Sequence, residues 1–258
     1  MNQEFKKLGI SRVEKSTERP RLTIGLDGLP KTGKTTWAMG MPGPIGVISN
    51  DPMTKRVAQR AESDGSKENY IRTFPETQAK QDAEKEWARY LDVYAWMLAN
   101  MRSLVIDTDT GSWDLQRMAA FGKLTQVMPN QYVEVNRERR RVIRMAEDSN
   151  CNVCFIFKQK KKYVDVKRRT KQGVQTVSSW TGEYERAGFS ETAYLLQVNM
   201  ETIKEEPEGL DVEERFKVKV VNCTQNAGLD GEILEYPLND FSSLAISVFP
   251  ESNEEDWT

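Results

Sequence analysis

Histidine is missing from all 258 residues of this chain. Its absence excludes a histidine general base, a Ser-His-Asp triad and the commonest side-chain metal ligand, so any chemistry must run on carboxylates, lysines or a bound cation. Cysteine is scarce: three residues are too few for a disulfide framework, and the count suits a reducing, cytoplasmic setting. Cys151 and Cys154 have the spacing of a redox or metal pair. They open an apolar run with Val153, Phe155, Ile156 and Phe157, where cysteine behaves as a small buried hydrophobe, and no second ligand pair accompanies them. Apolar runs are short. None reaches the ~18 residues that would span a membrane, and the polar start at Met1–Leu8 lacks the apolar core of a secretory signal, so no membrane partner is expected.

The length suits one α/β domain with appendages better than two full domains. Net charge is only −2 but unevenly spread. Lys158, Lys160, Lys161, Lys162, Lys167, Arg168, Arg169 and Lys171 face Asp165 alone, while Glu251, Glu254, Glu255 and Asp256 make the C-terminus acidic. Such asymmetry points to a localised polyanion site rather than a uniformly basic protein.

Residues 22–36 read Leu-Thr-Ile-Gly-Leu-Asp-Gly-Leu-Pro-Lys-Thr-Gly-Lys-Thr-Thr, a β-branched strand running into Gly-x-x-x-x-Gly-Lys-Thr. This is the signature of a phosphate-binding P-loop. Gly28 and Gly33 let the backbone turn its N–H groups inward, so that Gly28, Leu29, Pro30, Lys31, Thr32, Gly33, Lys34, Thr35 and Thr36 form the expected nucleotide cradle. Lys34 is placed for the β- and γ-phosphates, Thr35 for Mg²⁺ and Thr36 for the α-phosphate, with a helix N-terminus behind them. The expected cofactors are ATP and Mg²⁺. Such a site needs no histidine.

Apolar patterning predicts strands over 21–27, 45–49, 70–74, 104–107 and 153–157, and helices over 34–40, 75–101 and 131–149. On the long helix Trp87, Leu91, Tyr94, Ala95 and Leu98 are expected to share one face. Residues 52–68 show charge without apolar periodicity, and 180–188 suggests a turn. Strands near 193–204 and 215–223, a turn at 226–231 and a last short strand complete the pattern. Alternating strands and helices predict an α/β fold: a mostly parallel sheet flanked by helices, with antiparallel strands in the C-terminal third. The expected organisation is a polar arm over 1–20, an ATPase domain over 21–250 and an acidic tail over 251–258.

Leu104, Val105 and Ile106 lead to Asp107, a carboxylate at a buried strand end where it can hold the Mg²⁺ shell beside Thr35. Asp109 falls on either the metal or the solvent side. Asp51 ends the strand after the P-loop helix, across the cleft from Asp107; it suits either water activation or a turn before Pro52. Gln159 follows the strand 153–157, where it can meet the γ-phosphate or attacking water and pass nucleotide state to the basic segment. The candidate catalytic set is therefore Lys34, Asp51, Asp107 and Gln159.

In this order the motifs resemble the RecA-like recombinase core, most closely small phage-encoded ATPases that accompany single-strand annealing, over roughly residues 20–225. The resemblance implies that Asp51 activates water, although the family usually has Glu there, and that Gln159 senses the γ-phosphate. It implies single-stranded DNA as partner, bound through loops after the last two of these strands. A homo-oligomer, contacts to replication or single-strand-binding proteins, and a host-cytoplasmic setting are also expected. Lys217 and Lys219 either reach a neighbour's nucleotide or form the wet face of a strand. The basic segment supports three roles: Lys160, Lys161, Lys162, Lys167, Arg168 and Arg169 bind DNA with Tyr163 and Trp180 as stacking surfaces, or form a solvated hairpin, or meet another copy's acidic tail. Arg137, Arg139, Arg140, Arg141 and Arg144 suit either DNA or an ordinary helix face. A nucleotide-dependent assembly protein without DNA contact, and a small-molecule kinase, are the alternative functions.

Overall fold

Five-residue apolar runs, too short for helices, become strands buried on both faces. A computed structural model describes residues 20–63, 68–123, 127–170, 173–204 and 216–257. Its strands are β1 (Thr23–Gly28), β2 (Ile45–Ser49), β3 (Asn69–Thr73), β4 (Ser103–Asp107), β5 (Asn152–Ile156), β6 (Gln159–Thr170), β7 (Gly173–Arg186), β8 (Val198–Lys204), β9 (Phe216–Cys223) and β10 (Ile233–Leu234). Its α-helices are α1 (Lys34–Ala38), α2 (Thr54–Ser63), α3 (Lys80–Asn100), α4 (Asp109–Phe121), α5 (Tyr132–Glu147), α6 (Thr192–Leu195) and α7 (Phe241–Val248).

Eight strands form one sheet in the order β10-β9-β8-β1-β5-β4-β2-β3. From β8 to β3 all neighbours are parallel, and β9 and β10 extend the edge in antiparallel fashion, as the sequence pattern predicts. Every residue of β2, β4 and β5 is buried, the pattern of strands covered on both faces. One face packs Leu22, Ile24, Leu26, Val105, Met200 and Val218 against α7 and the P-loop side. The other packs Leu104, Ile106, Val153, Phe155 and Phe157 against α3, α4 and α5. On α3 the buried stripe is Ala83, Trp87, Tyr90, Tyr94, Met97 and Leu98, so Tyr90 rather than Leu91 continues the aromatic stack, 5.0 Å from Trp87 and 5.9 Å from Tyr94.

Several local expectations change. Residues 54–63 are helical despite few apolar residues: Ala58 is buried in the core, Val57 and Ala61 pack against it, Thr54 is buried, and most of the remaining surface is wet. Helix α4 was not predicted; Thr108 caps it by accepting from the Gly111 amide, and Gly111 masks the helical signal. A Cβ there would displace the Asn50 side chain, which accepts from the Thr108 amide. The predicted turn at 180–188 is mostly strand, β7, with Gly182 at φ 89°. The predicted strand near 193 begins only at Val198, after the short α6. The C-terminal segment is not a free tail. Trp257 is 1% exposed and packs against Phe241 and Phe249, while the acidic residues before it make a short 3₁₀ turn. The polar arm, apart from Pro20, lies outside the described residues.

Candidate functional site

The chain leaves β1 through Gly28 and turns back into α1 at Gly33, which sits at φ 83° with the Phe216 ring close behind it. A Cβ on Gly33 would come 3.1 Å from that ring, and one on Gly28 would strike the hydroxyls of Thr32 and Thr202. Both glycines are therefore fixed by close approach as well as by dihedral angle. Thr32 Oγ1 holds the loop shut by donating to the Leu29 carbonyl at 2.8 Å and sharing a 2.6 Å hydrogen bond with Thr202 Oγ1. Lys34 Nζ lies across the loop and donates to the carbonyls of Gly28 and Leu29, each at 2.7 Å. Burial lowers its pKa, and the charges of Asp107 and Asp27 pull it back up.

Asp107 ends β4 beside this loop. Its Oδ2 accepts from Thr35 Oγ1 at 2.9 Å and from Thr54 Oγ1 at 2.6 Å, and Ser49 Oγ donates in turn to Thr54 at 2.9 Å. Burial raises the Asp107 pKa, and the two threonine hydroxyls offset part of that cost. Thr35 and Asp107 thus converge. A hydroxyl and a carboxylate are hard oxygen donors, the kind Mg²⁺ takes. Among the described residues no three His, Cys, Asp or Glu side chains cluster for a metal, so Thr35 and Asp107 would hold Mg²⁺ with the remaining positions left to phosphate and water. Thr54 escaped sequence reasoning because nothing marked 52–68 as a helix whose first residue faces Asp107.

The other carboxylates separate. Asp51 lies exposed at the mouth and its Oδ1 accepts from the Met53 amide at 2.8 Å, so it caps a turn here; its charge still reaches Asp107. Asp109 is fully buried and ion-paired with Arg139, also fully buried, with Ser112 hydrogen-bonded to both. It does not face the cleft. Asn50, beside Asp51, accepts from the Thr108 amide at 3.0 Å and ties the ends of β2 and β4 together.

One cavity borders the cradle and a second lies at the ends of β2 and β4. The first, about 220 Å³, is bounded by Gly33, Thr36, Trp37, Phe216, Asn239 and Asp240. The other, about 290 Å³, lies between Ser49, Asn50, Phe74, Thr108, Asp114 and Lys158.

The basic segment is one strand of a long hairpin, β6 and β7, that forms its own two-stranded sheet. Cross-strand pairing sorts its charges. Lys160 meets Glu185 at 3.2 Å and Lys162 meets Glu183 at 2.8 Å, so both are paired, contrary to a count made along β6 alone. On the opposite face Lys161 Nζ lies 4.9 Å from the Trp180 ring centroid, Tyr184 contacts Trp180 edge-on at 6.3 Å, and Tyr163 pairs with Trp180 across the strands. Tyr163, Trp180 and Tyr184 are all exposed. Lys167 continues the same face opposite Thr176. The side chains of Arg168 and Arg169 lie outside the described residues, as does Lys171. At the hairpin root, Gln159 Nε2 donates to Glu201 Oε1 at 2.8 Å rather than toward the P-loop.

The chain matches the AAA domain family over residues 21–215. It belongs to that family. No curated protein matches it. The matched region of this AAA domain runs from β1 through β8 and includes the cradle, Asp107 and the hairpin; β9, β10 and α7 lie beyond it. The family is one of nucleotide-binding ATPases, which agrees with a P-loop whose lysine, threonine and facing carboxylate are assembled as described. No helix among the described residues is long and apolar enough to cross a membrane.

Three of the five arginines of α5 have carboxylate partners. Arg139 is buried on Asp109, Arg140 makes a two-pronged pair with Glu191 at 2.7 Å, and Arg137 pairs with Glu134. Lys217 pairs with Glu235 at 2.6 Å, and Lys219 stands opposite Glu201 in the sheet. Cys151 and Cys154 are buried free thiols; burial pushes Cys151 up to about 12 and Cys154 higher still, which disfavours the thiolate that redox or metal chemistry uses.

Proposed function

We propose that this chain is a Mg²⁺-dependent ATP hydrolase that acts on single-stranded DNA held by the β6–β7 hairpin, as in phage recombination, annealing or replication. The observation that carries the proposal is a single one. A phosphate cradle and a cationic, aromatic arm share a root: Gln159 and Arg186, at the hairpin's base, bond to the residues of β8 and β1 that immediately precede Thr202 and Gly28. The flat sides of Trp37 and Phe216 and the polar groups of Asn239 and Asp240 suit a purine base beside the loop. Lys34 would draw charge off the transferring phosphoryl group, Thr35 and Asp107 would hold the cation, and Asp51 would turn from the Met53 amide to orient water. Lys161 and Lys167 would neutralise backbone phosphates, while Tyr163, Trp180 and Tyr184 offer surfaces to bases of any sequence.

The observation that favours a second function, phosphoryl transfer to a small acceptor, is the cavity between Asn50, Thr108 and Lys158. Phosphate release from ATP, measured with and without single-stranded oligonucleotide, separates the readings. Strong stimulation supports the proposal. Nucleotide turnover indifferent to oligonucleotide removes DNA from it, and ADP that forms only with an added acceptor, with the phosphoryl group on that acceptor and no free phosphate released, replaces hydrolysis by transfer.

A further inference from the structure

The hairpin meets the sheet at a square of four side chains. Asp27 and Glu201 are neighbours on parallel strands β1 and β8, and Gln159 and Arg186 are partners at the base of β6 and β7. Arg186 Nε donates to both Asp27 carboxylate oxygens at 2.9 Å and Nη2 lies 2.8 Å from Oδ2, with both side chains largely buried. The guanidinium carbon sits 4.2 Å from the Phe157 ring centroid. Gly25 makes the seat, because a Cβ there would come 2.9 Å from Arg186 Nη2.

The square is one residue from the P-loop on β1 and, on β8, one residue from Thr202, which bonds into the loop. Asp27 precedes Gly28, and its carbonyl accepts from Thr202 Oγ1 at 3.2 Å. Thr202 follows Glu201 and shares its hydroxyl hydrogen bond with Thr32 inside the loop. Asp27 also lies close enough for its charge to act on Lys34. A buried carboxylate left without its partner is strongly unfavourable and seeks the nearest cation. The nearest alternative is the lysine that must hold phosphate. The seat is also incompletely satisfied, since Arg186 Nη1 is buried with no protein partner, so the arginine recovers a hydrogen bond when it leaves.

With the P-loop taken as the nucleotide site, as proposed above, we infer that Arg186 is a positioning residue that links the hairpin to the phosphate cradle. Seated on Asp27, it neutralises that carboxylate and leaves Lys34 available to phosphate. Drawn off by displacement of the hairpin, it exposes Lys34 to capture by Asp27. Linkage makes the effect reciprocal: nucleotide that engages Lys34 favours the seated arginine and so steadies the hairpin.

The test uses the full chain and no DNA. Affinity for Mg²⁺ with a fluorescent ADP is measured by titration, and amide hydrogen exchange over 159–186 is followed with and without MgADP. In the wild type, MgADP should slow exchange in the hairpin. Arg186→Ala should weaken MgADP binding by about tenfold and abolish that protection, and Arg186→Lys, which keeps the charge, should stay within about threefold of wild type. Adding Asp27→Asn to Arg186→Ala should restore affinity, because the group that captures Lys34 is gone; a merely structural arginine would not be rescued by a second deletion. Wild-type affinity in folded Arg186→Ala, or no recovery in the double variant, overturns the inference. If Arg186→Ala does not fold, hairpin exchange in the wild type that ignores MgADP overturns it instead. A wild type that binds no MgADP at all would defeat the nucleotide site itself, a distinct failure.

Discussion

At the scale of the residue, Lys34 and Asp107 carry the clearest consequences. Lys34 is bonded to two loop carbonyls, and no other described lysine or arginine donates to them. Lys34→Ala should therefore leave a folded protein that neither binds MgATP tightly nor turns it over; wild-type turnover by that variant would refute the site. Asp107 is different, because its carboxylate is buried with a raised pKa. The folded state holds this proton more tightly than the unfolded chain, so stability from this group falls as pH rises above the ordinary value of 3.8, and at neutral pH the buried charge is a cost. Asp107→Asn should thus keep nucleotide binding and raise the melting midpoint of the unliganded protein at pH 7, while cutting turnover. Calorimetry and phosphate release on the same sample check both halves. Asp51→Asn should cut turnover without altering the midpoint. Asp109→Asn should act the other way, through stability, since its partner Arg139 is buried with it.

At the scale of the element, the hairpin decides which basic residues matter. Lys160 and Lys162 already have glutamate partners, whereas Lys161 and Lys167 share the aromatic face. Replacing Lys161 and Lys167 with alanine should flatten the log–log salt dependence of oligonucleotide affinity by about 1.4, at about 0.7 per phosphate contact. The matched Lys160→Ala/Lys162→Ala variant should change the slope less, and Trp180→Ala should cost about 1–3 kcal/mol per stacked base. Equal slopes for both pairs would mean that cross-strand pairing does not sort the charges. These distinctions were beyond the sequence, because charge read along β6 cannot see Glu183 and Glu185 on the strand that returns. The P-loop and Asp107 were legible for the opposite reason. Their chemistry lies in contiguous residues: a strand, a glycine turn, a lysine and a threonine, or three apolar residues and an aspartate. Asp51 and Asp109 were ambiguous since only the turn after β2 and the course of α4 decide which carboxylate faces the cleft. Helix α2 stayed hidden because its apolar stripe, Val57, Ala58 and Ala61, is too short and small a signal among charged residues.

At the scale of the whole molecule, the C-terminal segment packs into the core on one face of the sheet. Trp257 stacks on Phe249 at 5.7 Å and meets Phe241 edge-on at 6.0 Å, so a segment that looks like a charged tail contributes a core aromatic. Trp257→Ala should lower stability by about 3–5 kcal/mol, as for other buried aromatics, whereas alanine at Glu254 and Glu255 should shift it little; denaturant unfolding compares the two. The hairpin stands in contrast to this segment. Its first and last residues, Gln159 and Arg186, face each other as cross-strand partners, so the chain leaves the sheet and returns at nearly one point. Everything from Lys160 to Glu185 is in that sense a cassette. It can be shortened, lengthened or exchanged for an arm with another binding preference, and the eight-stranded sheet would register only the two side chains left at its root.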